Sequence, residues 1–174
     1  RAPMKELPLY YVTLLSAIRN SEKDIYLSSA YFVPTPDEKK ELIDAARRGV
    51  EVNIFVPGIS DSRASMSVQR SHYDDLLAAG IKIYESRHEV LHAKTVTIDN
   101  VWSVIGTSNF DFRSAAHNAE VDIVVIGRQT SQELRAMFED DIKDAHRITL
   151  EEWRHRSPLE RIKDWSARFW EGML

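Results

Sequence analysis

The chain has 174 residues and a formal charge of −4, from 23 Lys plus Arg against 27 Asp plus Glu, so it lacks the positive excess of a generic nucleic-acid binder and an anionic substrate has to be held by a few local groups. At 43% hydrophobic and 29% charged residues it is neither disordered nor collagen-like, and a chain of this size buries roughly two thirds of its unfolded surface around one core. With no Cys it forms no disulfide, Cys-ligated zinc site or catalytic thiolate, and no apolar run approaches the ~20 residues of a membrane span or the pattern of a signal peptide.

Leu7, Tyr11, Leu14, Leu15 and Ile18 recur at helical spacing and predict an amphipathic helix over Leu7 to Asn20. Ile25 to Val33, rich in β-branched and aromatic residues and closed by Pro34, reads as a buried strand. Thr35-Pro36-Asp37-Glu38 is a helix start with a capping box, and Gly49 ends that helix. A strand over Val50 to Val56 stops at Pro57-Gly58, a polar loop follows to Ser65, and a helix over Met66 to Ala79 closes at Gly80. Short strands are predicted over Ile81 to Tyr84, Leu91 to Ile98 and Val101 to Ile105, the last two joined at Asp99-Asn100. A further strand runs from Asn118 to Ile126, a helix capped by Thr130 and Glu133 reaches His146, and Ser157-Pro158-Leu159-Glu160 opens a last helix. Strands alternating with helices predict an α/β layered domain over residues 1–150, with some antiparallel pairing around Asp99 and an amphipathic tail over 151–174.

Side chains alternate along a strand, so His92 and Lys94 share a face. A two-residue hairpin at Asp99-Asn100 pairs Ile98 with Val101, which sets Lys94 opposite Ile105 and His92 opposite Thr107, with Asn109 on the same side. That register gathers an imidazole, an ammonium, a hydroxyl and an amide: a nucleophile and the donors a phosphoryl group needs. Glu120 lies in a run of Val and Ile, where an unpaired carboxylate is costly, and a partner such as His92 removes the cost.

His92-x-Lys94, Asp99 and Gly106-Thr107-Ser108-Asn109 resemble the signature of the phospholipase D superfamily, a likeness that extends to Asp111, Arg113, Ser114 and Asn118-Ala119-Glu120. Tyr31-Phe32-Val33-Pro34, Ser60-Asp61, Arg70-Ser71-His72-Tyr73 and Thr149-Leu150-Glu151-Glu152-Trp153 look like the C-terminal half of bacterial cardiolipin synthases. Departures are small: Thr107 stands where Ser is usual, and Ile59 where relatives often carry a polar residue. The resemblance implies an α-β-α sandwich with a mixed, largely parallel sheet. It further implies phosphodiester chemistry through a phosphohistidine, with neither cofactor nor metal. His92 Nε2 attacks phosphorus or protonates the leaving oxygen, while Glu120 accepts from Nδ1. Lys94 and Asn109, with Thr107 behind them, neutralise the phosphoryl oxygens, and Asp99 counts among the catalytic positions. Asp at a hairpin turn also has a structural explanation by itself.

One imidazole cannot both attack phosphorus and protonate the leaving group in one step, and the sequence has a single His-x-Lys motif. A homodimer supplies the second, or an N-terminal half does; the start at Arg1 and the resemblance lead to the expectation of that half. The implied activity is phosphatidyl transfer making cardiolipin from phosphatidylglycerol, at the cytoplasmic face of a bacterial membrane in peripheral contact. Hydrolysis by water, or a dimeric nuclease on the same fold, is the alternative, and −4 charge with a Trp-rich last helix weighs against nucleic acid. His88-Glu89-Val90-Leu91-His92 also matches a zinc-protease pattern, which requires a helix where this sequence alternates as a strand. His72, His117, His146 and His155 read as structural, Arg47-Arg48 as favourable charge at a helix C-terminus, and Arg63 and Arg70 as surface or phosphate-facing.

Overall fold

The computed structural model describes residues 9–60, 62–88, 90–111, 113–114 and 118–157. Among them, β1 (Asp24–Ser29), β2 (Glu51–Pro57) and β3 (Lys82–Ser86) form a parallel core linked by helical crossovers. The first crossover is α2 (Pro36–Arg47); the second is α3 (Arg63–Ser71) followed by α4 (Tyr73–Ala78). β4 (Lys94–Ile98), β5 (Trp102–Gly106) and β6 (Asp122–Ile126) continue the sheet beyond β1, and β7 (His146–Ile148) adds to β3, all antiparallel. The strand order is β6-β5-β4-β1-β2-β3-β7. The sheet is mixed, as expected, but only its centre is parallel: β4 pairs antiparallel with β1, and β5, β6 and β7 continue antiparallel from β4, β5 and β3.

Helices cover both faces. Ile25, Leu27, Val52, Ile54, Ile83 and Val96 pack under α1 (Leu9–Arg19), α2 and α4 with Leu14, Ile18, Leu42 and Leu76. On the other face Tyr26, Phe55 and Tyr84 present ring edges to Phe138 of α5 (Arg128–Asp141), at centroid distances of 5.2, 6.1 and 6.2 Å. Trp153, in α6 (Leu150–Arg154), is buried against Tyr73 at 4.8 Å, so the core continues past residue 150. The predicted closing helix lies outside the described residues.

Three expectations shift. The helix predicted over Met66 to Ala79 starts at Arg63, where the Ser62 side chain accepts from the Ser65 N–H, and breaks at His72. The helix after Gly127 stops at Asp141, and a 3-10 turn over Ile142–Asp144 leads into β7, which the sequence reading passes over. At the hairpin, Asp99 and Asn100 take φ of 54° and 56°, the left-handed values their side chains tolerate. Yet the pairing is Ile98 with Trp102 and Thr95 with Ile105, one residue away from the expected register. A one-residue slip exchanges faces, so the expected alignment of His92 with Thr107 does not form.

The capping box at α2 is realised in full: Thr35 Oγ1 accepts from Glu38 N at 3.2 Å, and Glu38 Oε2 accepts from Thr35 N at 2.8 Å. Glu38 is almost wholly buried, and burial pushes its carboxyl up to about 8, against the lowering effect of the Thr35 hydrogen bonds. The stability this protonated side chain contributes is fully present below its ordinary value of 4.5 and is lost as pH rises to and through about 8. Glu38→Gln, which keeps an acceptor without the charge, is therefore expected to gain melting temperature over the unsubstituted chain progressively between pH 5 and pH 8. A difference that does not change with pH contradicts the assignment.

Candidate active site

The strands all present their site-bearing ends at one edge of the sheet. The parallel strands β1, β2 and β3 end there, antiparallel β4 and β6 begin there, and β5 ends there. Segments distant in sequence thus converge without any helix being bent.

The segment after β5 is tied down first. Phe110 N donates to Ser29 Oγ at 3.2 Å, Val33 N donates to Phe110 O at 2.6 Å, and the rings of Phe32 and Phe110 stack at 5.9 Å. Gly106 is required because a Cβ at that position would meet the Asp122 carboxylate and the Val121 carbonyl. Asp122 in turn accepts from the N–H and the hydroxyl of Ser108, at 3.2 and 2.5 Å. Sequence reasoning passes over this Ser108–Asp122 clip; its only signal is a lone carboxylate opening the Val and Ile run of β6.

Glu120 precedes β6 and is the hub of the rim. Its Oε2 accepts from Thr107 Oγ1 at 2.5 Å, and its Oε1 accepts from Ser114 Oγ at 3.0 Å and Asn118 Nδ2 at 3.1 Å. Burial, the largest single influence, pushes this carboxyl up. The three donors and the Lys94 ammonium together outweigh it and hold Glu120 below the usual glutamate value. Among the described residues no hydrogen bond joins His92 to Glu120, whose partners are these neutral donors. Thr107 Oγ1 also accepts from Val121 N at 2.9 Å. Asp111 Oδ1 caps the next turn through Ser114 N at 2.7 Å, and burial raises its pKa.

Lys94 opens β4 opposite Ser29, and its Nζ donates to the backbone oxygen of His92 at 3.0 Å. Burial lowers its pKa, opposed by the carboxylates of Glu120 and Asp111. His92 itself sits two residues before β4, exposed. It lines a cavity of about 410 Å3 together with Phe55, Arg87, His88, Leu91 and Asp140. Asn109 lines a second cavity of about 340 Å3 with Tyr31, Ser62, Ser65 and Asp111, and its Oδ1 is buried with no hydrogen-bond partner among the described residues. His92 and Asn109 thus line different cavities, and among the described residues the charge interaction between Lys94 and Glu120 links the two sides.

Two readings are corrected. Asp99 lies at the far end of β4 from Lys94, and its carboxylate accepts from the backbone N–H groups of Glu22, Lys23 and Asp24, at 2.9, 2.7 and 3.2 Å. It clips the start of β1, at the end of the sheet away from Lys94. Arg70 is bound to Glu85 through Nε and Nη2 at 3.0 and 2.9 Å, and Glu85 also accepts from Tyr73 Oη at 3.0 Å, so this guanidinium serves an internal network. The side chain of Arg63, like residues Glu89 and His117, lies outside the described set. Residues 90–93 are irregular and β4 follows directly, so the helix that a zinc-protease pattern needs is not formed there. His146 Nε2 lies 2.8 Å from Glu152 Oε1 and His155 Nδ1 lies 2.7 Å from Glu151 O, partners that suit structural histidines.

The fold is shared with solved structures. A phospholipase D family member, Nuc, from Salmonella typhimurium superposes with a TM-score of 0.70 over 80% of this chain and 90% of that one, at 24% identity. A phosphatidylserine synthase from Haemophilus influenzae gives 0.71 over 95% of this chain and 44% of that one, at 11% identity. Residues 14–142 match the family model described as "Cardiolipin synthase, PLD-like domain", and the chain belongs to that family. Cardiolipin synthase A of Pectobacterium carotovorum is 32% identical over 166 residues, which cover 95% of this chain and 34% of that protein. A cardiolipin synthase of Halalkalibacterium halodurans is 34% identical over 159 residues, covering 91% and 32%. The chain therefore spans about a third of the length of the curated relatives it matches.

Asp99→Asn removes the charge from the clip and leaves an acceptor. It is expected to lower unfolding stability by about 1–2 kcal/mol in urea titrations while leaving turnover of the full-length polypeptide within about twofold of the unsubstituted protein. A fall of about a hundredfold, the size seen when a transition-state group is lost, would return Asp99 to the catalytic set.

Proposed function

We propose that this chain is one half of a two-half phosphatidyltransferase that makes cardiolipin, with His92 as one of two imidazoles acting in turn. One imidazole nitrogen attacks the phosphorus of a phosphatidylglycerol, the bond to the glycerol headgroup breaks, and the other imidazole gives the leaving oxygen its proton. A hydroxyl of a second phosphatidylglycerol then attacks phosphorus, its proton passes to the imidazole that donated one, and the phosphorus–nitrogen bond breaks. The balance is two phosphatidylglycerols to one cardiolipin and one glycerol.

The observation that carries this reading is that the family match covers residues 14–142 and that His92, Lys94, Thr107, Asn109 and Glu120 all lie at one edge of the sheet. Lys94 supplies charge and Asn109 an amide to the non-bridging oxygens. Thr107 and Glu120 hold the segment that carries Asn109. The phosphohistidine, independence of metal and the second half belong to the same reading. So does peripheral attachment to a bacterial cytoplasmic membrane; among the described residues no helix is long and apolar enough to cross one.

The test is incubation of the full-length polypeptide with phosphatidylglycerol vesicles in the presence of a chelator, followed by lipid chromatography. Cardiolipin and glycerol are expected in equal amounts. Lys94→Ala and Asn109→Ala should each slow the reaction about 100- to 1000-fold, and His92→Ala by more. Phosphatidic acid as the sole product would make the enzyme a hydrolase, and activity restored only by zinc would overturn the mechanism.

A further inference from the structure

Three of the side chains that line the cavity of about 340 Å3 beside Asn109 present hydrogen-bond acceptors to it. Asn109 brings its Oδ1, buried and without a hydrogen-bond partner among the described residues. Asp111 brings a carboxylate, whose Oδ1 already takes the Ser114 N–H at 2.7 Å. At the start of α3, Ser65 directs its own hydroxyl proton to Ser62 Oγ at 2.9 Å, which leaves the lone pairs of Ser65 Oγ to receive another. Of the charged residues on the described lining, Arg113 is the one donor; it is exposed, and its cation stands against the Asp111 carboxylate.

Such a wall selects its ligand. An ionised phosphate carries acceptors alone and would set oxygen against oxygen on it, and an ammonium would meet the Arg113 guanidinium. A neutral polyol fits, because each hydroxyl gives a proton to a wall acceptor and can take one from Arg113. The volume falls at the small end of the roughly 300–1,000 Å3 of ligand pockets, as a three-carbon polyol requires.

We infer that this cavity is the headgroup subsite, in which Asn109 Oδ1, Ser65 Oγ and the Asp111 carboxylate receive the hydroxyls of a glycerol headgroup. The inference rests on the phosphatidyl-transfer reading above and adds where the headgroup sits and what recognises it. Asn109 then works with both ends of its amide: Nδ2 serves a non-bridging oxygen and Oδ1 a headgroup hydroxyl, so one side chain sets the angle between the phosphoryl group and the headgroup. The second glycerol approaches phosphorus along the line on which the first departs, so one subsite serves both.

The test supplies deuterated glycerol and 1-propanol together, at equal concentration, to the full-length polypeptide turning over phosphatidylglycerol vesicles. Either alcohol oxygen bonds to phosphorus as the phosphorus–nitrogen bond breaks, its proton passing to the imidazole, and mass spectrometry counts deuterated phosphatidylglycerol against phosphatidylpropanol. Glycerol is expected to be incorporated about tenfold or more over 1-propanol. Ser65→Ala should lower that ratio about tenfold, the loss of one hydrogen bond, and Ser65→Thr, which keeps the hydroxyl, should hold it. A ratio does not depend on how much of a variant folds. In parallel, short-chain phosphatidylglycerol should bind the full-length His92→Ala protein about tenfold more tightly than short-chain phosphatidylpropanol, an advantage removed by adding Ser65→Ala. A ratio near one in the unsubstituted protein, or a preference that Ser65→Ala leaves intact, overturns the proposal. So does ethanolamine incorporated better than glycerol, which assigns the cavity to an ammonium. A Ser65-dependent binding advantage in a protein that transfers nothing keeps the cavity and removes the transfer reading, whereas transfer without discrimination does the reverse.

Discussion

The ionised carboxylate of Glu120 is the interaction on which the rim of the site depends. It collects donors from the end of β5, from the turn after it and from the residue two places before it, through Thr107, Ser114 and Asn118. Burial raises its pKa; the donors and the Lys94 ammonium together outweigh that and hold it below the usual glutamate value. Lys94 is in the complementary position, since burial lowers its pKa and the carboxylates of Glu120 and Asp111 support its charge. The charges of the two groups support each other at the sheet edge.

The pairing is useful only because the backbone around it is stiff. The segment from Gly106 to Phe110 is held at its start by the fit of Gly106 under Asp122, in the middle by Ser108 on Asp122, and at its end by Phe110 on β1. Asn109 therefore hangs between two fixed points, with its buried Oδ1 unsatisfied among the described residues. A buried acceptor without a partner is expensive in a finished structure, and a bound donor would relieve it. The far end of β1 is fixed independently by Asp99, so the strand that supports the rim is secured at both ends.

Much of the fold is legible because local chemistry and tertiary packing agree. The capping box of α2, the strands β1 to β3 and the left-handed Asp99-Asn100 turn all follow from residue types whose preferences the core does not contradict. The candidate residues are legible as a set for the same reason: they sit at strand ends, and the composition of those ends departs from the Val and Ile of the strands. Their mutual contacts are not legible. The hairpin register is off by one residue because Val101 lies inside the turn, and counting from the turn assumes that it does not. His92 precedes β4, so alternation along the strand says nothing about where its ring points. Asp99 carries two sufficient explanations in sequence, and only the three backbone donors of Glu22, Lys23 and Asp24 decide between them. β7 is three residues long, too short for any periodicity to announce it.

The account stands or falls on a covalent bond between phosphorus and an imidazole. The most direct measurement is to quench the full-length polypeptide during turnover of phosphatidylglycerol, digest it under alkaline conditions and locate the lipid-derived phosphorus by mass spectrometry. The expected result is an acid-labile adduct on a histidine ring. An adduct on a hydroxyl side chain, or turnover with no histidine adduct, would contradict it.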